Sequence, residues 1–128
     1  METTRQKKFA KEMLRTISAL LREEVEPLFD TMITVNHVNV TPDLQLVRVY
    51  LTTLAPEKLP QVLRLLAEEN REFRQRLAER IRNQVRYIPQ VQFYRDDTLE
   101  KASRIDALFE RIHAEEAAKK PTDTNTPS

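Results

Sequence analysis

Glycine is absent from all 128 positions, and that absence removes several kinds of site. P-loops, dinucleotide-binding fingerprints and nucleophile elbows each need backbone that only glycine supplies. A standard GxxG nucleic-acid clamp is excluded on the same ground. Cysteine is absent too, which rules out disulfide scaffolds, thiolate zinc sites and cysteine nucleophiles. What remains is a chain of one-domain length that is 40% apolar, enough for a single small core. No stretch approaches the roughly 20 apolar residues of a membrane span, and the charged segment from Met1 to Lys11 has no apolar signal region. The expectation is a soluble, cytoplasmic protein that does not engage membranes.

The net charge is only +1, but the charges fall in blocks. Residues 1–22 carry six basic and two acidic side chains, and residues 71–86 carry six arginines against two glutamates. Between them, residues 23–70 carry three basic and eight acidic side chains. A chain with one basic and one acidic side suits a one-faced RNA binder. The plain alternative is a pair of ordinary solvated helices.

Periodicity predicts the elements. Phe9, Met13, Ile17, Leu20 and Leu21 recur at helical spacing over 4–24, and Pro27 is expected to end that helix. Most of the basic residues Arg5, Lys7, Lys8, Lys11 and Arg15 fall off the apolar stripe. Two β-rich runs follow, 32–40 and 44–53, around Thr41-Pro42-Asp43, where Pro42 fixes φ and Asp43 can close an Asx-turn. In the first run Ile33 and Val35 lead the alternation, continued by either His37 or Val38. Pro56 opens the next helix, whose face is Val62, Leu63, Leu65 and Leu66.

A break is expected near Asn70-Arg71-Glu72. A further helix then carries Phe73, Leu77, Ile81 and Val85 as its stripe, with Pro89 as its stop. Arg71, Arg82 and Arg86 lie roughly opposite that stripe, and Arg74, Arg76 and Arg80 lie nearer its edges. Val91 and Phe93 mark a third strand. Asp97-Thr98-Leu99-Glu100 has capping-box spacing before a last helix bearing Ile105, Leu108, Phe109 and Ile112. The expected order is α-β-β-α-α-β-α, an α+β domain with a three-stranded sheet packed on helices. It occupies residues 1–113, with a disordered tail at 114–128.

Three segments resemble the ribosome-binding factor A family. The run from Ile33 to Leu51 resembles its strand–Pro-Asp–strand signature. The run from Arg80 to Phe93 ends in its Arg-x-x-Pro-x-Leu-x-Phe pattern, with Val91 at the Leu position. Asp96-Asp97-Thr98 and Ile105-Asp106-Ala107-Leu108 match its closing elements. The resemblance covers roughly residues 4–112, in order. It implies a KH-like (type II) domain. It also implies a monomeric ribosome-assembly factor without cofactors that binds the free or immature small (30S) subunit and its rRNA. The implied role is late maturation and 5′-end processing of 16S rRNA, association with cold adaptation, and release helped by a ribosome-assembly GTPase. One departure stands out. Where many members have an Ala-x-Gly kink between the central helices, this chain has Asn70-Arg71-Glu72. Asn70 tolerates left-handed backbone, and binding is expected to lean on arginine side chains.

RNA affinity should be chiefly electrostatic, with arginine gripping phosphate through its planar fork. The candidate contacts are Lys7, Lys8, Lys11 and Arg15 on the first helix and Arg71, Arg74, Arg82 and Arg86 on the arginine-rich one. Helix capping accounts for Asp97 without a metal. His37 and His113 sit in different elements, and His37 is expected on a strand surface. No nucleophile–base–orienter set can be assembled, so no catalytic or metal-binding residue is expected and the protein is not read as an enzyme. Tyr87 and Tyr94 are expected to pack in the core or on the sheet, with stacking on bases as the alternative. A protein-interaction module without RNA binding and a KH-like binder of another RNA remain as competing readings.

Overall fold

The computed structural model describes residues 2–98 and residue 112. Two compact units, Met1–Asp96 and Asp97–Ser128, are separable, and the architecture below belongs to the first. The expected cap at residues 97–100, the apolar face of the last helix and the tail from Ala114 fall almost wholly outside the described residues.

Helix α1 spans Thr4–Leu20. Thr3 starts it with a capping box: its hydroxyl oxygen accepts from the Gln6 N–H at 3.1 Å, and its own N–H donates to the Gln6 side-chain oxygen at 3.0 Å. The Gln6 amide, buried to 4% exposure, then donates to the Val40 carbonyl at 2.9 Å. One glutamine thus caps the helix and ties its first turn to the sheet. Met13, Ile17 and Leu20 form the buried stripe.

Pro27 does not end this helix. The chain widens into a π-turn at Leu21–Val25, where the Glu26 N–H reaches back to the Leu21 carbonyl, and continues as α2, Glu26–Phe29. In an unbroken α-helix the proline ring would meet the carbonyl four residues before it. The wider turn relieves that conflict. The true stop is Asp30, in left-handed backbone at φ 52°, whose N–H donates to the Glu26 carbonyl at 2.9 Å.

Strands β1 (Ile33–Val40) and β2 (Leu46–Thr53) pair antiparallel, and β3 (Gln90–Arg95) adds parallel to β2, giving the order β1-β2-β3. A bulge between Val35 and His37 shifts the register. Ile33 and Val35 face inward before it, Val38 and Val40 after it, and His37 turns outward. The hairpin turn closes as expected: Asp43 Oδ1 accepts from the Gln45 N–H at 3.1 Å and from the Thr41 hydroxyl at 2.7 Å.

Pro56–Lys58 form a single 3₁₀ turn, followed by α3 (Leu59–Glu68) and α4 (Asn70–Ile81). The break lies at Glu69, at φ −103° and ψ 25°. Left-handed backbone is not used there: among the described residues only Asp30 and Leu44 have positive φ. The Asn70 side chain instead donates to the Val91 carbonyl at 3.0 Å, tying the bend to β3.

Helix α4 ends at Ile81, well before Pro89. The residue preceding a proline is pushed into extended backbone, and residues 82–89 are needed to return the chain to the sheet edge. Arg82 and Arg86 therefore do not share a helical face. Within the first unit, α1, α3 and α4 cover one side of the sheet, where Val47, Val49 and Leu51 are fully buried and Val91 nearly so. The result is a two-layer α+β domain. Emptying the core at Ile17 or Leu77 would cost about 2–5 kcal/mol. None of the described helices is long and apolar enough to cross a membrane.

Candidate nucleic-acid interface

Helix α1 from Arg5 to Arg15, the β1–β2 turn and the 82–89 loop line a cleft of about 650 Å³. On α1, Arg5, Lys8, Glu12 and Arg15 follow helical spacing and share one side, which faces this cleft. Lys7 and Lys11, four residues apart, form a neighbouring exposed stripe outside it. The loop contributes Arg86 and Tyr87, and the turn contributes Leu44 and Gln45.

The floor of the cleft is apolar, built from Phe9, Met13, Leu44 and Val85, and these side chains belong to or pack on the core. Leu44 reaches this position in left-handed backbone at φ 60°. For a residue with a Cβ this costs about 1–2 kcal/mol. The turn holds it there through the Leu44 N–H to Thr41 carbonyl bond at 2.9 Å.

Four cations rim the cleft. Arg15 pairs with Glu12 at 2.5 Å, an exposed contact on the arginine side of the kind that contributes little to stability. Arg5, Lys8 and Arg86 make no ion pair among the described residues. The one other acid on the rim, Asp43, has its carboxyl held below the ordinary range by the Thr41 hydroxyl and then by the Gln45 N–H.

The remaining candidate contacts are spread out. Arg82 caps α4 and is exposed. Arg71 is exposed in the first turn of α4, about 16 Å along the helix from Arg82 at 1.5 Å per residue. Arg74 is occupied: its Nε donates to the Pro89 carbonyl at 3.0 Å and its Nη2 to the Ile88 carbonyl at 3.2 Å. The cleft thus gathers Lys8, Arg15 and Arg86, and leaves Lys7, Lys11, Arg71, Arg74 and Arg82 outside its walls.

Two further arginines of α4 are used internally. Arg76 pairs with Glu24 at 2.7 Å and Arg80 with Glu23 at 2.6 Å, clamping α4 to the end of the first helical segment. The Arg80 guanidinium lowers the Glu23 pKa, and Glu23 in turn raises that of Arg80.

Arg5 and Tyr87 also line the cleft. Arg5 precedes Lys8 by one turn, a spacing visible in the sequence. Tyr87 was expected to pack, yet it is 66% exposed beside the cleft, because the loop that carries it is not helical. Tyr94 does pack on the sheet surface: it stacks on Tyr50 at 5.4 Å, and Tyr50 stacks on His37 at 4.3 Å. Phe93 packs against the core, edge-on to Phe73 at 5.1 Å.

Comparison with known proteins agrees with this fold. The family model described as ribosome-binding factor A matches residues 5–109. The ribosome-binding factor A of Cytophaga hutchinsonii is 34% identical over 88% of this chain and 85% of its own length. That of Chlorobium phaeobacteroides is 37% identical over 85% of this chain and 94% of its own. Among solved structures, the crystal structure of the Thermus thermophilus ribosome-binding factor A superposes with a TM-score of 0.59 at 22% identity, covering 70% of this chain and 94% of the other. A homology model of the Thermus thermophilus factor, fitted into a cryo-EM map of a 30S complex, gives 0.55 at 22% identity, covering 69% and 91%. The domain is therefore KH-like, and the chain belongs to the ribosome-binding factor A family.

Proposed function

We propose that this protein binds the free or immature small ribosomal subunit and promotes late maturation of 16S rRNA, including processing of its 5′ end. It acts by binding and not by catalysis, as a cytoplasmic monomer whose release is assisted by a ribosome-assembly GTPase. Its contribution is greatest in the cold, when RNA misfolds are slowest to resolve. Any effect on the RNA arises from different affinities for two RNA conformers.

The observation carrying this reading is the meeting of Lys8, Arg15 and Arg86, from segments distant in sequence, on one cleft. Lys7, Lys11, Arg71 and Arg82 extend the basic surface around and beyond it, while Arg74 shapes it. Membership of the family supports the choice of target, as does the 30S complex of the Thermus thermophilus relative.

The test is the 5′ end of 16S rRNA in cells lacking the gene, mapped by primer extension at low temperature. Precursor ends should accumulate and disappear when the gene is restored. Mature ends in normal proportion would remove the processing role.

The competing protein-interaction reading has its own observation. Met32 and Leu54 are joined by a 2.9 Å backbone hydrogen bond, and they stand 58% and 76% exposed. It predicts association that survives high salt and depends on these two side chains and not on the arginines.

A further inference from the structure

We infer that the cleft between α1, the β1–β2 turn and the 82–89 loop takes a single unpaired RNA nucleotide, its base on the apolar floor and its phosphates on the rim. This rests on the reading of the protein as an rRNA binder, and adds which form of RNA it selects.

The first ground is the division of the cleft into two chemistries. Phe9, Met13, Leu44 and Val85 give an apolar floor, and Arg5, Lys8 and Arg86 give a cationic rim without ion pairs among the described residues. A purely electrostatic contact needs only the rim. An intact duplex keeps its bases stacked inside and offers phosphates outward, so it would leave the floor unfilled. An unpaired base can enter and bury a face, as sequence-specific RNA recognition commonly requires.

The second ground is size and polarity. A volume of about 650 Å³ lies within the roughly 300–1,000 Å³ of small-ligand sites. Gln45 and Gln84 also line the cleft. Each amide offers both donors and an acceptor, the groups that a base edge needs. Tyr87 stands beside them with its ring in solvent, and an exposed aromatic ring is a platform for base stacking.

The third ground is strain. Leu44 is one of two described residues with positive φ, and it spends that strain on the cleft floor. Asp30, the other, caps a helix, where left-handed backbone is routine. Strained backbone tends to be kept where a site needs it.

An acidic peptide could satisfy the rim but would make poor use of the floor and of Tyr87. The occupant is therefore a nucleotide and not a protein segment.

The experiment is fluorescence anisotropy of the full-length protein at one fixed salt concentration. Four probes of equal length and charge are used: a labelled single-stranded RNA of mixed sequence, a self-complementary hairpin with the same number of phosphates, an abasic strand, and an acidic peptide matched in charge. Tyr87→Ala and Gln84→Ala are measured beside wild type, both at exposed positions. The single strand should bind about 5- to 100-fold more tightly than the abasic strand, the range that stacking of one base supplies. Tyr87→Ala should bring that ratio close to one. Equal affinity for all four probes, or a ratio unmoved by Tyr87→Ala, overturns the proposal. Sedimentation with free small subunits separates the two claims. Association without single-strand preference leaves the assembly-factor reading standing and removes the pocket. Single-strand preference without association does the reverse.

Discussion

Arg74 donates from Nε to the carbonyl of Pro89 at 3.0 Å. With the second bond, from Nη2 to Ile88, it makes a fork that lysine cannot reproduce. The two carbonyls lie beyond the end of α4, outside any helix or strand, and the arginine supplies their hydrogen bonds. Through this fork α4 sets where the loop, and with it Arg86 and Tyr87, emerges.

Arg74→Lys should therefore lose most of what Arg74→Ala loses. Each should cost about 1–3 kcal/mol, the value of hydrogen bonds to a charged donor at a half-buried site. Urea melts would measure this, and both variants should also bind RNA more weakly than their charge loss explains. A lysine variant as stable as wild type would mean that the fork is incidental.

The bend between α3 and α4 is held by Asn70 on the Val91 carbonyl. Asn70→Ala should lower stability by about 0.5–1.5 kcal/mol, the net value of one such bond. Asn70→Gly should not rescue it, because the backbone here is not left-handed. Recovery of wild-type stability by glycine would show that conformational freedom, and not the side chain, matters at this position.

Asp30 presents the opposite case. Its φ of 52° makes it a position where this glycine-free chain should accept one. Asp30→Gly should be neutral or stabilising by a few tenths of a kcal/mol, while Asp30→Val should cost about 1–2 kcal/mol. Thermal melts of the two variants should move apart in those directions.

Glu23 and Asp43 both have carboxyl groups held below their ordinary range, the first by Arg80 and the second by the Thr41 hydroxyl. A depressed folded-state pKa means stability that is present above the unfolded-state value and lost as pH falls through the folded-state value. Acid titration of wild type should show loss below the ordinary carboxylate range. Glu23→Gln and Asp43→Asn should each flatten part of that loss and leave the neutral-to-alkaline limb unchanged in shape. Both groups are exposed, so added salt should shrink the Glu23 effect in particular. A variant whose acid limb matches wild type would remove that group from the account.

Much of this was legible in the sequence because periodicity reports burial. The stripes Met13-Ile17-Leu20 and Phe73-Leu77-Ile81 are buried as their spacing requires. Asp43 closes its turn because the side chain acts locally. The misreadings share a cause. The sequence marks Pro27 and Pro89 as helix stops without showing where each helix ends. The chain absorbs Pro27 by widening one turn and abandons the helix eight residues before Pro89. The phase of β1 was ambiguous between His37 and Val38 because a bulge shifts a period-two pattern by one residue. The cleft was illegible as a whole. It joins three segments distant in sequence, and its most exposed ring, Tyr87, belongs to a loop whose apolar spacing continues that of α4.

On the proposed function, unpaired cations around the cleft carry binding to the small subunit. This is tested by co-sedimentation of the protein with free small subunits across a salt series, for wild type and for an Arg5→Ala, Lys8→Ala, Arg86→Ala triple variant. All three side chains are exposed, so the variant should fold. Wild type should travel with the subunit at low salt and dissociate steeply as salt rises. The variant should bind more weakly, with a log–log salt slope smaller by about 2–3, close to one unit per lost phosphate contact. Binding of the variant equal to wild type, with the same salt slope, would contradict the account.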